Sequence, residues 1–97
     1  MTTTAGLLEK AKNFFDREQY EEAAAAYKVA LSDARTVTNG LLAVTGFAKS
    51  MKALGRANEE SVRVHVSFWL SGKKSQRLEE HRELYDELEA LGVKPFG

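Results

Sequence analysis

The chain has 97 residues, and its fourteen lysine and arginine residues balance its fourteen aspartate and glutamate residues, so the formal net charge is zero. We therefore expect no nucleic-acid partner, which a basic excess would indicate, and no membrane insertion, because no apolar run reaches ~20 residues. The sequence has no cysteine, which excludes disulfides and thiolate metal sites and fits a cytoplasmic protein.

The first third of the sequence predicts a helical hairpin over residues 5–34. Thr4 is a suitable N-terminal cap for a first helix that ends near Arg17. A turn at Gln19-Tyr20 leads into a second helix that ends near Ala34. Apolar residues recur at three- and four-residue steps along both helices, which gives each one a buried face. These residues are Leu7, Leu8, Ala11, Phe14 and Phe15, then Ala23, Ala26, Tyr27, Ala30 and Leu31.

Residues 35–46 admit two interpretations. Asn39-Gly40 between short β-prone runs is typical of a β-hairpin turn. Alternatively, Asn39 caps a third helix that begins near Gly40 and ends at Gly55 in a left-handed conformation. We favour the helix.

Residues 58–71 are also ambiguous. Val62, Val64, Val66, Phe68 and Leu70 alternate as in a strand. However, Asn58 followed by two glutamates is typical of a helix start, and a strand here would need a partner, for which only the short runs around Asn39-Gly40 are available. We favour a helix that ends at Gly72, which makes residues 40–71 a second hairpin.

The last predicted helix covers residues 75–91 and begins at Ser75. Its apolar stripe predicts a capping helix that packs on residues 58–71. The alternative is that this stripe pairs with a second copy of the chain. The stripe consists of Leu78, His81, Leu84, Tyr85, Leu88 and Leu91, and Gly92 and Pro95 close the helix.

The opening hairpin resembles one tetratricopeptide repeat (TPR). Small residues at Ala11, Ala23 and Ala30 and aromatics at Phe14, Tyr20 and Tyr27 match the pattern of that family. A degenerate second match follows about 37 residues later, against a family period of 34. The resemblance implies an all-α domain spanning residues 1–97, built as a stack of antiparallel hairpins with a C-terminal capping helix. The opening hairpin also resembles the microtubule-interacting and trafficking (MIT) domain, a shorter three-helix bundle.

The charges are segregated along the chain. Residues 1–34 have a net charge of −2, residues 35–77 of +6 and residues 78–97 of −4. The basic middle indicates either an acidic partner or neutralisation between neighbouring helices. In the TPR family the first helix of each hairpin lines a concave groove that holds a partner's peptide or helix. The resemblance therefore implies a partner-binding groove lined by Lys12, Phe15, Lys49, Lys52 and Arg56.

Little in the sequence indicates catalysis. His65 and His81 are the only histidines, and both lie on apolar helix faces where packing explains them. No glycine-rich phosphate loop is present. We therefore expect no enzyme, no cofactor and no metal, but an adaptor or scaffold that binds another protein, with an acidic segment as one candidate partner. The alternative is a structural domain that self-assembles through the last helix and Trp69.

Overall fold

The computed structural model describes residues 3–71 and 77–93, and these residues contain helices and no strand. The all-α prediction is confirmed, and both ambiguous segments are helical. The helix boundaries that the sequence predicts at Gly72, Ser75 and Pro95 lie outside the described residues. The helices are α1 (Thr4–Asp16), α2 (Tyr20–Asp33), α3 (Val37–Ala53), α4 (Glu60–Leu70) and α5 (Arg82–Ala90).

Two helices begin earlier than predicted, because a neighbouring threonine supplies the cap. Thr3, not Thr4, caps α1 by accepting a hydrogen bond from the Gly6 amide at 3.0 Å. Thr4 is inside the helix, and its hydroxyl bonds Asp33 at the far end of α2. Thr36, not Asn39, caps α3. Both caps have extended backbones, which the N-cap position requires.

Helix α3 is the centre of the molecule, because it contacts each of the other four helices. It supplies much of a single hydrophobic core, to which α2, α4 and α5 also contribute. The fully buried members of this core are Leu41, Val44, Ala48, Val62, Val66 and Leu88.

Small residues allow close helix packing in the first hairpin and at α3. Ala11, Ala23 and Ala30 are completely buried, as the alanine pattern predicts. On α3, a methyl group at Gly40 would overlap the Trp69 ring, and one at Gly46 would overlap the Tyr27 ring. These two glycines are therefore notches that receive aromatic rings.

The C-terminal segment differs from the prediction in its start. Leu78 was expected on the apolar stripe, but it has an extended backbone and is 59% exposed. A 3-10 turn, Glu79–His81, follows it and turns the His81 ring inward, where it bonds Thr38 at 3.1 Å. The regular α-helix therefore begins only at Arg82.

The capping helix also packs in a different place. We expected α5 to cover residues 58–71, but it lies mainly against α3 and only lightly against α4. Leu88 is its fully buried residue and joins the common core. Because α5 is amphipathic, its apolar face was predictable, whereas the helix that would receive this face was not.

Candidate binding groove

A groove runs over α3 between α1 and α5, with the ring of Tyr27 from α2 in its floor. It consists of two adjoining depressions of about 370 and 250 Å³, which share Lys12, Tyr27 and Leu42. The larger one is the polar end of the groove, and the smaller one is the apolar end. The polar end is further lined by Phe15, Asp16, Thr45, Gly46, Lys49 and Glu87, and the apolar end by Leu8 and Glu9.

The wall formed by α1 follows from helical spacing. Leu8, Lys12 and Asp16 are four residues apart, so they lie on one face of the helix. Phe15 extends this face, and its ring packs edge-on against Tyr20 with the ring centroids 5.2 Å apart. This contact fixes the Phe15 ring at the polar end of the groove.

The floor depends on the notch at Gly46. Because Gly46 has no side chain, the Tyr27 ring lies directly against α3 and forms the floor at both ends of the groove. Burial raises the pKa of the Tyr27 hydroxyl, and the carboxylates of Asp16 and Glu87 raise it further. The hydroxyl therefore stays protonated and lies in the field of two negative charges.

Thr45 brings an unusual polar group to the groove. It is 4% exposed, and its hydroxyl has no hydrogen-bond partner among residues 3–71 and 77–93. A serine or threonine hydroxyl inside a helix can bond the carbonyl four residues earlier. Ser50, on the same helix, does so at 2.8 Å to Gly46. A buried hydroxyl without such a bond carries a desolvation cost.

Helix α5 supplies the opposite wall through Glu87. This carboxylate bonds the ammonium group of Lys49 across the groove. Both side chains are about two-fifths exposed, so solvent weakens their attraction. The pair neutralises one positive and one negative charge at the polar end.

Three of the five predicted site residues line the groove, namely Lys12, Phe15 and Lys49. The other two are not among its lining residues. Lys52 donates to the Leu91 carbonyl at the end of α5, at 3.0 Å. Arg56 pairs with Glu59 through two of its nitrogens.

Sequence reasoning missed several lining residues. Asp16 was detectable, because it lies one turn beyond Lys12 on α1. Leu42 was detectable as an apolar residue beside the buried stripe of α3, and it is 40% exposed. Glu87 was not detectable, because its place depends on where α5 docks.

Both histidines have contacts within the chain, and that of His81 is the bond to Thr38. His65 packs edge-on against Phe47, with the ring centroids 5.9 Å apart. Burial lowers the pKa of His65, and the charge of Lys28 lowers it further. In the described part of the chain, no three histidine, aspartate or glutamate side chains lie close enough together to hold a metal.

Comparison with known proteins gives no match: no protein-family model, no curated protein and no solved structure aligns significantly with this chain. Among the described helices, none is both long and apolar enough to cross a membrane.

Proposed function

We propose that this chain is a non-enzymatic protein-interaction module of the tetratricopeptide type, which binds an extended peptide or a helix of a partner protein in the groove. The observation that carries this proposal is that Lys12, Phe15 and Lys49, on α1 and α3, line one groove beside exposed Leu42. An apolar depression with a few polar groups is the usual form of a small-molecule site, and stacked helical hairpins bind their partners on concave surfaces of a similar kind. The absence of cysteine supports a cytoplasmic location.

The expected acidic character of the partner now rests mainly on Lys12. Of the four predicted cations, Lys49, Lys52 and Arg56 already bond acceptors within the chain. The charges of α3 and α5 partly neutralise one another, which was the second interpretation of the charge pattern.

A selection from a phage-displayed library of random dodecapeptides on the immobilised full chain tests the proposal. We expect peptides whose binding falls at least tenfold in the Leu42→Glu variant, which places a charge at the apolar end of the groove. Val29→Glu is the matched control, because Val29 is similarly exposed but does not line the groove. Circular dichroism checks that both variants are folded. If the recovered peptides bind both variants equally well, the groove is not the binding site.

A second candidate function is self-association, and the outer face of α4 favours it. Val64 and Phe68, one turn apart, are 46% and 72% exposed. The sequence placed this interface at the last helix and Trp69, but the Trp69 ring packs on Gly40 and α5 packs on α3. The exposed apolar pair on α4 is therefore the better candidate surface.

A further inference from the structure

The polar end of the groove contains two carboxylates, Asp16 and Glu87, and two ammonium groups, Lys12 and Lys49. Lys49 already bonds Glu87, whereas Asp16 makes no ion pair with any residue in 3–71 or 77–93. Both carboxylates lie close enough to the Tyr27 hydroxyl to raise its pKa. The field around this hydroxyl is therefore negative, although the lining charges balance by count.

The end of α1 adds to this negative field. The carbonyl groups of the last turn carry the negative end of the helix dipole, about half an elementary charge. Asp16 is the last residue of α1, and the last turn contains no basic residue. Arg17 follows as the cap but does not line the groove. A carboxylate in this position is unfavourable for the helix itself, and a cation from outside would relieve the repulsion.

Hydroxyl groups provide further acceptors next to these carboxylates. The Tyr27 and Thr45 side chains line the same depression. The Thr45 hydroxyl is buried and unpaired within the described residues, which is an observation independent of the charges. Lysine and arginine side chains are pure donors, so a group of carboxylate and hydroxyl oxygens suits them.

The distance between the apolar end and the polar end of the groove follows from the geometry of α1. Leu8 and Asp16 are eight residues apart on α1, which corresponds to about 12 Å at 1.5 Å per residue. An extended chain covers that length in three to four residues. A helical partner would place the same two side chains about eight residues apart, so the spacing distinguishes an extended partner from a helical one.

We propose that the groove binds an extended partner segment in which a lysine or arginine lies three to four residues from a large apolar residue. The apolar side chain would lie between Leu8 and Leu42, and the basic side chain would reach Asp16, Glu87 and the Tyr27 hydroxyl. This inference rests on the proposed function and adds the chemistry of the partner. An acidic segment held by Lys12 is the competing outcome.

The dodecapeptide selection also tests this inference through the composition of the recovered peptides. We expect lysine or arginine to be enriched three to four positions from leucine, isoleucine, methionine or phenylalanine. A synthetic peptide of this kind, measured by fluorescence anisotropy, should bind the Asp16→Asn variant about fivefold more weakly, the upper range for an exposed ion pair. Asp86→Asn is the matched control, since Asp86 does not line the groove, and it should leave the affinity unchanged.

The two proposals fail in different ways. If the groove-dependent peptides are enriched in aspartate or glutamate, or if Asp16→Asn tightens binding, the basic-partner inference is wrong and the proposed function stands. If the recovered peptides are insensitive to Leu42→Glu, the proposed function itself is wrong. Equal loss of affinity in Asp16→Asn and Asp86→Asn would show a general charge effect and would also overturn the inference.

Discussion

Glu18 and Gly55 hold equivalent positions at the ends of α1 and α3. Each follows the C-cap residue and has a left-handed backbone, with φ of 61° at Glu18 and 73° at Gly55. At both ends, two successive amides donate back to carbonyls of the last turn, at distances between 2.8 and 3.0 Å. This is the Schellman arrangement, in which glycine is favoured. Glutamate is therefore sterically strained at this position, whereas glycine would not be.

We predict that Glu18→Gly raises the free energy of unfolding by about 0.5–1 kcal/mol. The left-handed conformation costs a non-glycine residue about 1–2 kcal/mol, and the greater entropy of glycine in the unfolded chain offsets roughly half of that gain. Urea unfolding, with an unchanged dependence on denaturant, measures the difference.

Gly55→Ala provides the converse change. A methyl group at Gly55 would meet no atom within 4 Å, so its effect comes from the backbone conformation alone. We expect it to lower the free energy of unfolding by about 1 kcal/mol. A loss of stability in Glu18→Gly would contradict this account.

At the residue scale, the sequence predicted positions whose role depends on spacing. The buried alanines and Gly55 at the end of α3 follow from helical periodicity and from the conformational freedom of glycine. Glu18 could not be predicted, because nothing in the residue type indicates a left-handed backbone. Thr45 was also missed, since whether its hydroxyl bonds the preceding turn depends on the packing around it.

At the scale of the elements, two of the contacts that attach α5 to α3 differ in strength. The Lys49–Glu87 pair is exposed to solvent, so its contribution is about 0–1 kcal/mol. Leu88 is fully buried in the common core, where truncation to alanine typically costs about 2–5 kcal/mol. The hydrophobic contact therefore dominates the docking of α5.

We predict that Leu88→Ala lowers the free energy of unfolding by about 2–5 kcal/mol, whereas Glu87→Gln lowers it by at most about 1 kcal/mol. Chemical denaturation followed by circular dichroism measures both variants. Because the Lys49–Glu87 pair is solvent-exposed, the effect of Glu87→Gln should also shrink as salt is added. Equal destabilisation by the two variants would show that the ion pair contributes as much as the core contact and would contradict this account.

The elements themselves were largely predictable, because their periodicity is a local property. The stripe of α5 correctly identified Leu88 as buried, and Asn58-Glu59-Glu60 correctly indicated a helix over the alternating valines. The late start of α5 was not predictable, since the 3-10 turn at Glu79–His81 depends on the contact between His81 and Thr38, which are 43 residues apart.

On the scale of the whole molecule, the outer face of α4 predicts a concentration-dependent assembly. If Val64 and Phe68 form the contact between copies, the sedimentation coefficient should rise with protein concentration. Phe68→Glu should abolish that rise, because it would place a charge in an apolar interface. Val29→Glu, which changes an exposed valine on α2, should leave it unchanged. A wild-type coefficient that stays at the value of a monomer at every concentration would exclude self-association.

The groove was only partly predictable, because it is assembled from four helices. The α1 and α3 residues Lys12, Phe15 and Lys49 follow from the family resemblance, which places the first helix of each hairpin along the groove. Tyr27 and Glu87 lie on α2 and α5, and their positions in the groove depend on long-range packing. Local patterns specify which face of each helix is apolar, but they do not specify which other helix that face contacts.

The two notches on α3 also determine how its neighbours are aligned. Alanine-rich surfaces such as that of α2 are smooth, so two such helices have little to prevent them from sliding along each other. The Tyr27 ring packs on Gly46 and the Trp69 ring on Gly40, and these two contacts lie about 9 Å apart along α3 at 1.5 Å per residue. A shift of α2 by one turn would drive the Tyr27 ring into a side chain. The two contacts therefore fix the positions of α2 and α4 along α3.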